Sequence, residues 1–433
     1  MLNVVLYLQE QGGPTHFFYK AIVLTEANPI KKRRQGMLAL YEPNYRVYIY
    51  ALSSTWCSLQ IQLITRGWIM LNLTDSPLLV TMTQGSFFIP MLLLSLAGGL
   101  LADKYSRKLL IISAESVVLL LYILLAVLYW MDLLNPSLII GITLASGIAF
   151  ALSTSARNAM LPSVVSKEAL RNGAALSTMS WTLSFLVAPS LAGYFISIFG
   201  ESVTLFISCG VTAFGLTQWS RIQPKHGPWK SPAKASPLAT LIAGFRYVRV
   251  NSSIGALIVL GGAVMMLSMP YQALLPVFAR DVLGSNSSGL GLLMGATGFG
   301  ALLGCVFCPM RNTPIILGKS LRRAALCYGF VLILFSQSPW IIVSALIGIL
   351  VGLCQQTFIS ANFTLIQTNV PTEILGRVFS IRYMAFGLMP VGQVAVGYLA
   401  EIMSAPLATL LVGLLSILAV VTILKVFSSL RSL

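Results

Sequence analysis

The sequence predicts an all-α integral membrane protein with twelve transmembrane helices in two six-helix halves. Of its 433 residues, 57% are hydrophobic and only 9% are charged, whereas a soluble domain carries about 25% charged residues. Apolar runs recur along the chain, and most of them reach the roughly 20 residues that cross a bilayer core. A polar, proline-rich segment at 221–237 follows the sixth run and divides the chain into two sets of six.

The apolar runs are numbered in chain order as predicted spans. Spans 1 to 6 cover 47–72, 77–102, 108–131, 136–158, 172–199 and 202–220. Spans 7 to 12 cover 252–280, 286–310, 320–336, 339–366, 376–401 and 405–427. We expect each span to be a helix, because a helix satisfies its own backbone hydrogen bonds in hydrocarbon.

The positive charges lie almost entirely on one side of the predicted membrane protein. Of the 28 Lys and Arg residues, only Arg66 and Arg280 fall on the half that carries the short turns, which we call the outer side. Cytoplasmic loops collect Lys and Arg, so both termini are predicted to be cytoplasmic. The asymmetry also accounts for the net charge of +16 without a nucleic-acid partner.

The predicted domain organisation follows from these spans. It consists of a flexible cytoplasmic extension at 1–45, a first half at 46–220, a cytoplasmic linker at 221–250 and a second half at 251–433. Residues 1–36 are excluded from the predicted fold, and translation from Met37 would explain their different character. Within the linker, 238–250 is predicted to form a short amphipathic helix on the inner membrane surface.

The two halves are related in sequence. Residues 165–170 parallel 370–375, and 192–194 parallel 396–398, with an offset near 205 residues in both cases. Both pairs lie around the fifth span of their half. The chain therefore contains a parallel repeat of two six-span units, as some transporter folds do.

The loop between spans 2 and 3 carries the most specific motif. Gly99, Asp103, Lys104, Arg107 and Lys108 lie within one short charged reversal between two apolar runs. The loop resembles the signature loop between helices 2 and 3 of the major facilitator superfamily. This resemblance implies that superfamily's fold, with a substrate site between the halves near mid-membrane, and a bacterial inner-membrane location.

The same resemblance implies a gate on the cytoplasmic side. The Asp103 carboxylate would accept hydrogen bonds from the start of helix 11, near 372–376, where the helix dipole favours an anion. Arg107 would balance this charge, and Arg157, expected at the inner end of span 4, would join the network. The corresponding loop at 309–313 has no aspartate, so the gate is predicted to be one-sided.

Polar and sulfur-containing residues at helical spacing mark candidate cavity faces. They are Trp56, Gln60, Gln84, Ser177, Trp181, Met265, Met269, Gln272, Gln356 and Ser360. Buried amides are costly in hydrocarbon unless they have a partner or water, so these faces are expected to point inward. Either they line a cavity for an apolar, variably shaped ligand, or they join helices by hydrogen bonds.

Two further features bear on the direction and coupling of transport. Pro189 and Gly193 in span 5 resemble a degenerate form of an antiporter motif, which favours export, although a proline bend also has a purely structural explanation.

Glu115 is the only acidic residue well within a span. It is the candidate proton-coupling residue; the alternative, because helix 3 is peripheral in the superfamily it resembles, is that it anchors helix 2 or stays neutral against a neighbour. Arg66 is expected to extend to the outer interface.

No cofactor, metal site or catalytic group is predicted. The two histidines, His16 and His226, lie in polar segments, and the twelve acidic residues are scattered singly, which argues against an enzyme such as a lipid-group transferase. The chain resembles the enterobactin-exporter-like and multidrug branch of the superfamily. This implies a monomeric, proton-coupled exporter of amphiphilic small molecules in the lipid bilayer; the alternatives are an uptake permease and a non-transporting sensor.

Overall fold

The structure is a computed structural model that describes residues 38–166, 168–223, 237–307, 314–427 and 430, and in these ranges all regular secondary structure is helical. Residues 1–37 of the predicted extension, residues 224–236 of the linker and the loop at 309–313 lie outside the described residues. Helices are numbered after the predicted spans. Helices 1 to 4 are Pro43–Thr74, Pro77–Lys104, Arg107–Trp130 and Pro136–Val164.

The next two helices form one continuous element with a break. Helices 5 and 6 are the two arms of Leu170–Arg221, which meet at Gly200. Gly200 has φ 79° and ψ 171°, in the left-handed half of backbone space that favours glycine. The amphipathic helix predicted in the linker is present as Pro237–Val250.

Helix 7 changes its winding along its length. It begins as the α-helix Ser252–Leu267 and continues as the 3₁₀ segment Met269–Leu274. A short α-helix, Leu275–Val277, leads into the π-helical turn Phe278–Val282.

The remaining helices complete the second half. Helices 8, 9, 10 and 12 are Ser287–Phe307, Pro314–Ser336, Ile341–Asn369 and Ala405–Val426. Helix 11 consists of two pieces, Thr372–Phe386 and Met389–Met403.

Side-chain caps define where three of the helices begin. The side chain of Ser76 accepts a hydrogen bond from the backbone N–H three residues later, and those of Asn135 and Asn251 do the same at helices 4 and 7. Such caps satisfy one of the four free N–H groups at a helix start. Pro77 and Pro136 follow two of these caps, at positions where a missing N–H costs nothing.

Eight helices among the described residues are long and apolar enough to cross a membrane. One of them, Asn172–Arg221, is 50 residues long and covers predicted spans 5 and 6. Helices 1, 9 and 11 lie where spans were predicted but are not among the eight. The all-α membrane fold is confirmed, and the full count of twelve crossings stays a prediction for these three.

The two halves meet along two helix pairs, 2 with 11 and 5 with 8. A Cβ atom added to Gly193 would lie 2.5 Å from the carbonyl oxygen of Ser287, and one added to Gly397 would overlap the Thr81 hydroxyl. Small residues allow such close approach of helices in membranes. The two halves are therefore in direct contact on the outer side of the molecule.

Candidate functional site

The loop between helices 2 and 3 is held against helix 4. A Cβ atom on Gly98 would lie 2.9 Å from the carbonyl oxygen of Ala151, so this glycine allows close packing, whereas Gly99 has open space around it. Arg107 Nη1 donates a hydrogen bond to the carbonyl oxygen of Ala159 at 2.9 Å. This contact ties the start of helix 3 to helix 4.

The predicted inner gate lies partly outside the described side chains. The side chains of Asp103, Thr372 and Glu373 lie outside the described side chains. That of Lys104 is exposed and that of Lys108 is half-buried, at the cation-rich end of the molecule. The contact of Asp103 with the start of helix 11 stays a prediction.

Arg157 lies at a different place from the one predicted. Helix 4 continues to Val164, so Arg157 is inside the helix rather than at its end. Its side chain turns into the first half, where Nη1 lies 2.6 Å from Oε1 of Glu115. Both residues are 3% exposed. Arg157 is therefore the partner of Glu115, and its predicted placement beside the gating loop is corrected.

The Glu115–Arg157 ion pair is surrounded by further hydrogen bonds. Thr55 Oγ1 donates to Glu115 Oε1 at 3.0 Å, and Trp219 Nε1 donates to Thr55 Oγ1 at 3.2 Å. Arg157 Nη2 donates to the carbonyl oxygen of Phe150 at 3.0 Å, and the guanidinium lies 4.1 Å from the centre of the Phe150 ring. A buried ion pair is tolerated only when its remaining polar atoms are satisfied in this way.

A small enclosed cavity adjoins the ion pair. It has room for about one water molecule. Its lining includes Glu115 and four residues with hydroxyl groups: Thr55, Ser58, Tyr122 and Ser146. Polar groups from helices 1, 3 and 4 therefore lie beside the Glu115 side chain.

Arg66 is buried, so the expectation that it extends to the outer interface is wrong. It is 1% exposed. Its Nε donates to Oε1 of Gln62 at 2.9 Å and its Nη1 to Oγ1 of Thr143 at 3.1 Å, with the ring of Tyr122 at 4.9 Å. Hydropathy indicates how deep a residue lies along a helix, but it does not show on which face of the helix the residue lies. Arg66 lies on the face of helix 1 that points into the helix bundle.

The candidate cavity residues of the first half form an aromatic cluster. The ring centres of Trp56 and Trp181 are 6.5 Å apart, and Trp56 lies 5.5 Å from Phe150. Phe185 adjoins Trp181 at 5.7 Å. The sequence analysis identified the two tryptophans but missed the two phenylalanines, because an apolar residue in an apolar span carries no distinguishing signal. Gln60, one turn beyond Trp56, is half-buried.

The candidates of the second half form an amide cluster instead. Gln272 Nε2 donates to Oε1 of Gln355 at 3.1 Å, which joins helix 7 to helix 10. Gln356 Nε2 donates to Ser360 Oγ at 3.1 Å within helix 10. Gln355 was missed. Met265 and Met269 are buried at 3% and 8% exposure.

Other candidates lie apart from these clusters. Ser177 donates to the carbonyl oxygen of Gly173 at 2.8 Å and lies 3.4 Å from the Tyr45 hydroxyl, near the inner end of helix 1. Pro189 is inside helix 5, and Gly193 lies where that helix touches helix 8. Whether any of these residues contacts substrate stays a prediction.

Contacts between the halves on the outer side form what we call the outer clasp, made by Asp75, Ser76, Arg280 and Glu401. Arg280 Nη2 lies 2.7 Å from Oδ1 of Asp75, and its Nη1 donates to the carbonyl oxygen of Leu71 at 3.0 Å. Ser76 Oγ donates to Glu401 Oε2 at 2.9 Å. The same oxygen accepts the backbone N–H of residue 78 at 3.2 Å, at the start of helix 2. The halves are thus fastened on the outer side.

Comparison with known proteins agrees with this architecture. Residues 42–432 match the model of the transmembrane secretion effector family. The enterobactin exporter EntS of Escherichia coli is 25% identical over 324 residues, covering 74% of each chain. The EntS protein of Shigella boydii is 26% identical over the same share of both chains.

Solved structures show the fold. The nucleoside transporter NupG superposes with a TM-score of 0.68 at 14% identity, covering 89% of this chain and 99% of that chain. A bacterial homolog of the human lysosomal transporter Spinster, inward-facing and unoccupied, gives 0.66 at 14% identity, covering 90% and 97%. Because the family model matches almost the whole described chain, the protein belongs to the transmembrane secretion effector family of major facilitator superfamily transporters, in their exporter branch.

Proposed function

We propose that the protein is a proton-coupled exporter of amphiphilic small molecules that works by alternating access between its two halves. It would lie in the bacterial inner membrane with both termini in the cytoplasm. The observation that carries this proposal is the contact between the halves along helices 2 and 11, fastened by the outer clasp. Contacts that close the outer side are expected of a transporter that opens alternately to either side.

The two clusters support an amphiphilic substrate. Trp56 and Trp181 offer flat apolar surface, and Gln272 and Gln355 offer amide groups without charge. A ligand with apolar and hydrogen-bonding parts suits such a site. The relatives named as enterobactin exporters support a siderophore-like or drug-like compound.

Transport direction can be tested with two probes of different chemistry, enterobactin and tetraphenylphosphonium. Everted vesicles energised by respiration should accumulate an exported probe. A Trp181→Ala variant should lose most of this accumulation, whereas Trp130→Ala, whose side chain is 70% exposed at the outer end of helix 3, should not. Accumulation only in whole cells would show an uptake permease, and transport of neither probe would favour a sensor.

Glu115 is the proposed proton-coupling residue. Among the described side chains it is the only buried carboxylate. Protonation would remove the charge that holds Arg157, so the ion pair links proton binding to the packing of helices 3 and 4. The cavity beside it supplies hydroxyl groups near the carboxylate.

Replacement of Glu115 by glutamine tests this role. The Glu115→Gln variant keeps the size of the side chain but cannot release a proton, and it leaves Arg157 without its anion. We therefore expect lower stability, with probe binding retained in the folded protein and transport only down the gradient of the probe. Vesicles with and without an imposed pH gradient measure this, with thermal unfolding as the check on folding. Glu168→Gln, at an exposed inner position, is the control. Normal dependence on the pH gradient in Glu115→Gln would remove the coupling role.

The outer clasp predicts a shift in the balance between conformations. Glu401→Gln removes the negative charge at the start of helix 2, so outward opening should increase by about two- to fivefold, the scale of one helix-dipole contact at the surface. A cysteine at Thr81, which is 0% exposed between helices 2 and 11, reports this opening through labelling from outside. Glu168→Gln again serves as control. Equal labelling in Glu401→Gln and the unchanged protein would contradict the role of the clasp.

A further inference from the structure

Two glutamines are buried in the contact between the halves without hydrogen-bond partners among the described residues. Gln393 of helix 11 is 0% exposed, and within the described part of the chain neither its Nε2 nor its Oε1 has a partner. Gln84 of helix 2 is 8% exposed, and its Nε2 has no described partner.

Glycines lie close to both amides. A Cβ atom on Gly85 would lie 3.4 Å from Gln393 Oε1, and one on Gly67 would lie 3.5 Å from Gln84 Nε2. Pro390 also adjoins Gly85. These residues bring no side-chain donors or acceptors to the amides.

Both glutamines lie on the outer half of the path between the halves. Gln84 is seven residues from the start of helix 2 at Pro77, or about 10 Å along the axis. Gln393 is ten residues from the end of helix 11 at Met403, or about 15 Å. They therefore lie between the outer clasp and the middle of the membrane.

An unpaired buried amide is unfavourable, because it loses its hydration and gains nothing in return. The same contact surface separates whenever the protein opens outward. In that state both amides regain water or meet a ligand, so their cost applies only to the closed interface.

We propose that Gln84 and Gln393 line the outward-open pathway and form a polar subsite on its release side. The subsite takes hydrogen-bonding groups, such as hydroxyl, carbonyl and amide groups, of a departing amphiphilic substrate. When helices 2 and 11 close, the unpaired amides favour reopening. This proposal rests on the proposed alternating access.

Labelling of single cysteines tests the pathway directly. In a background with the six native cysteines replaced by alanine, Gln393→Cys should react with a membrane-impermeant maleimide added from outside. Thr409→Cys is the matched control, since the Thr409 hydroxyl is also buried and unpaired but lies in helix 12. It should not react. Thr81→Cys marks opening itself.

The outcomes separate the two proposals. Labelling of Thr81→Cys without labelling of Gln393→Cys overturns the subsite and leaves alternating access standing. Absence of labelling at both positions overturns alternating access and the subsite with it. Labelling of both, with none at Thr409→Cys, supports the subsite.

A second variant tests the effect of the amide. Gln393→Leu removes the unpaired group, so labelling of Thr81→Cys should fall by about fivefold or more. Tyr328→Phe, which removes another unpaired buried oxygen away from this interface, should leave labelling unchanged. Gln393→Leu should also slow efflux of enterobactin more than that of tetraphenylphosphonium, which has no hydrogen-bonding group. Equal slowing of both probes, or unchanged labelling, would overturn the proposal.

Discussion

Arg157→Met is expected to destabilise the protein by about 3–5 kcal/mol, because it leaves the Glu115 carboxylate buried without its cation. The two side chains are 4% exposed and lie 2.6 Å apart. Thr55 alone would remain as a donor to the carboxylate oxygen that Arg157 now binds. Thermal and denaturant unfolding in detergent measure the loss, with tryptophan fluorescence as the signal.

The double variant separates the ion pair from simple packing. With Glu115→Gln added to Arg157→Met, no unpaired charge remains, so most of the lost stability should return, as it does when buried ion pairs are replaced together. If the single and double variants unfold at the same temperature and denaturant concentration, Arg157 does not stabilise the protein by compensating the charge of Glu115.

Gly352→Ala should be among the most damaging of the glycine substitutions in the second half. A Cβ atom there would overlap the carbonyl oxygen of Thr297, and one on Gly300 would overlap that of Ile349 across the same contact. Backbone cannot move aside as a side-chain end can, so helices 8 and 10 must separate. We expect a loss of about 1–3 kcal/mol or more, as for other overpacked cores, together with lower yield of folded protein.

Gly141→Ala is the control for this prediction. It changes the same residue type within helix 4, but nothing lies within 4 Å of the added atom. Because alanine favours a helix over glycine by up to about 1 kcal/mol, this variant should be neutral or slightly stabilised. Equal loss in both variants would show that close packing between helices 8 and 10 is not the cause.

The helical segments could be predicted because hydropathy and helix caps act locally. The cap residues Ser76 and Asn135 stand directly before their helices, where the sequence already places a turn. The break in helix 11 was missed. It falls at Gly387 and Leu388, between the two helical pieces, where Gly387 packs against Leu92 of helix 2. Pro390, just after the break, lacks a backbone N–H and is a local signal for it, whereas the contact with Leu92 depends on a helix that is distant in the sequence.

The site was predictable where a residue is unusual for its surroundings. Glu115 stood out as a charge within a span, but its partner was misplaced, because the predicted end of span 4 fell too early and left Arg157 at a surface. Arg66 was placed wrongly because one helix face cannot be told from another without the neighbouring helices. The unpaired state of Gln393 has no counterpart in the sequence, since it is a property of the assembled interface.

The π-helical turn Phe278–Val282 at the outer end of helix 7 has a mechanical consequence. A π turn holds one more residue than an α turn, and such turns are inserted singly. If it rewound as α-helix, the residues beyond it would rotate by about 100° around the axis, the angle of one residue. Arg280 lies within the turn, so it would rotate by a part of this angle and leave its positions beside Asp75 and Leu71 without any displacement of helix 7 as a whole. A change of winding within one turn is thus enough to disengage this arginine from the first half.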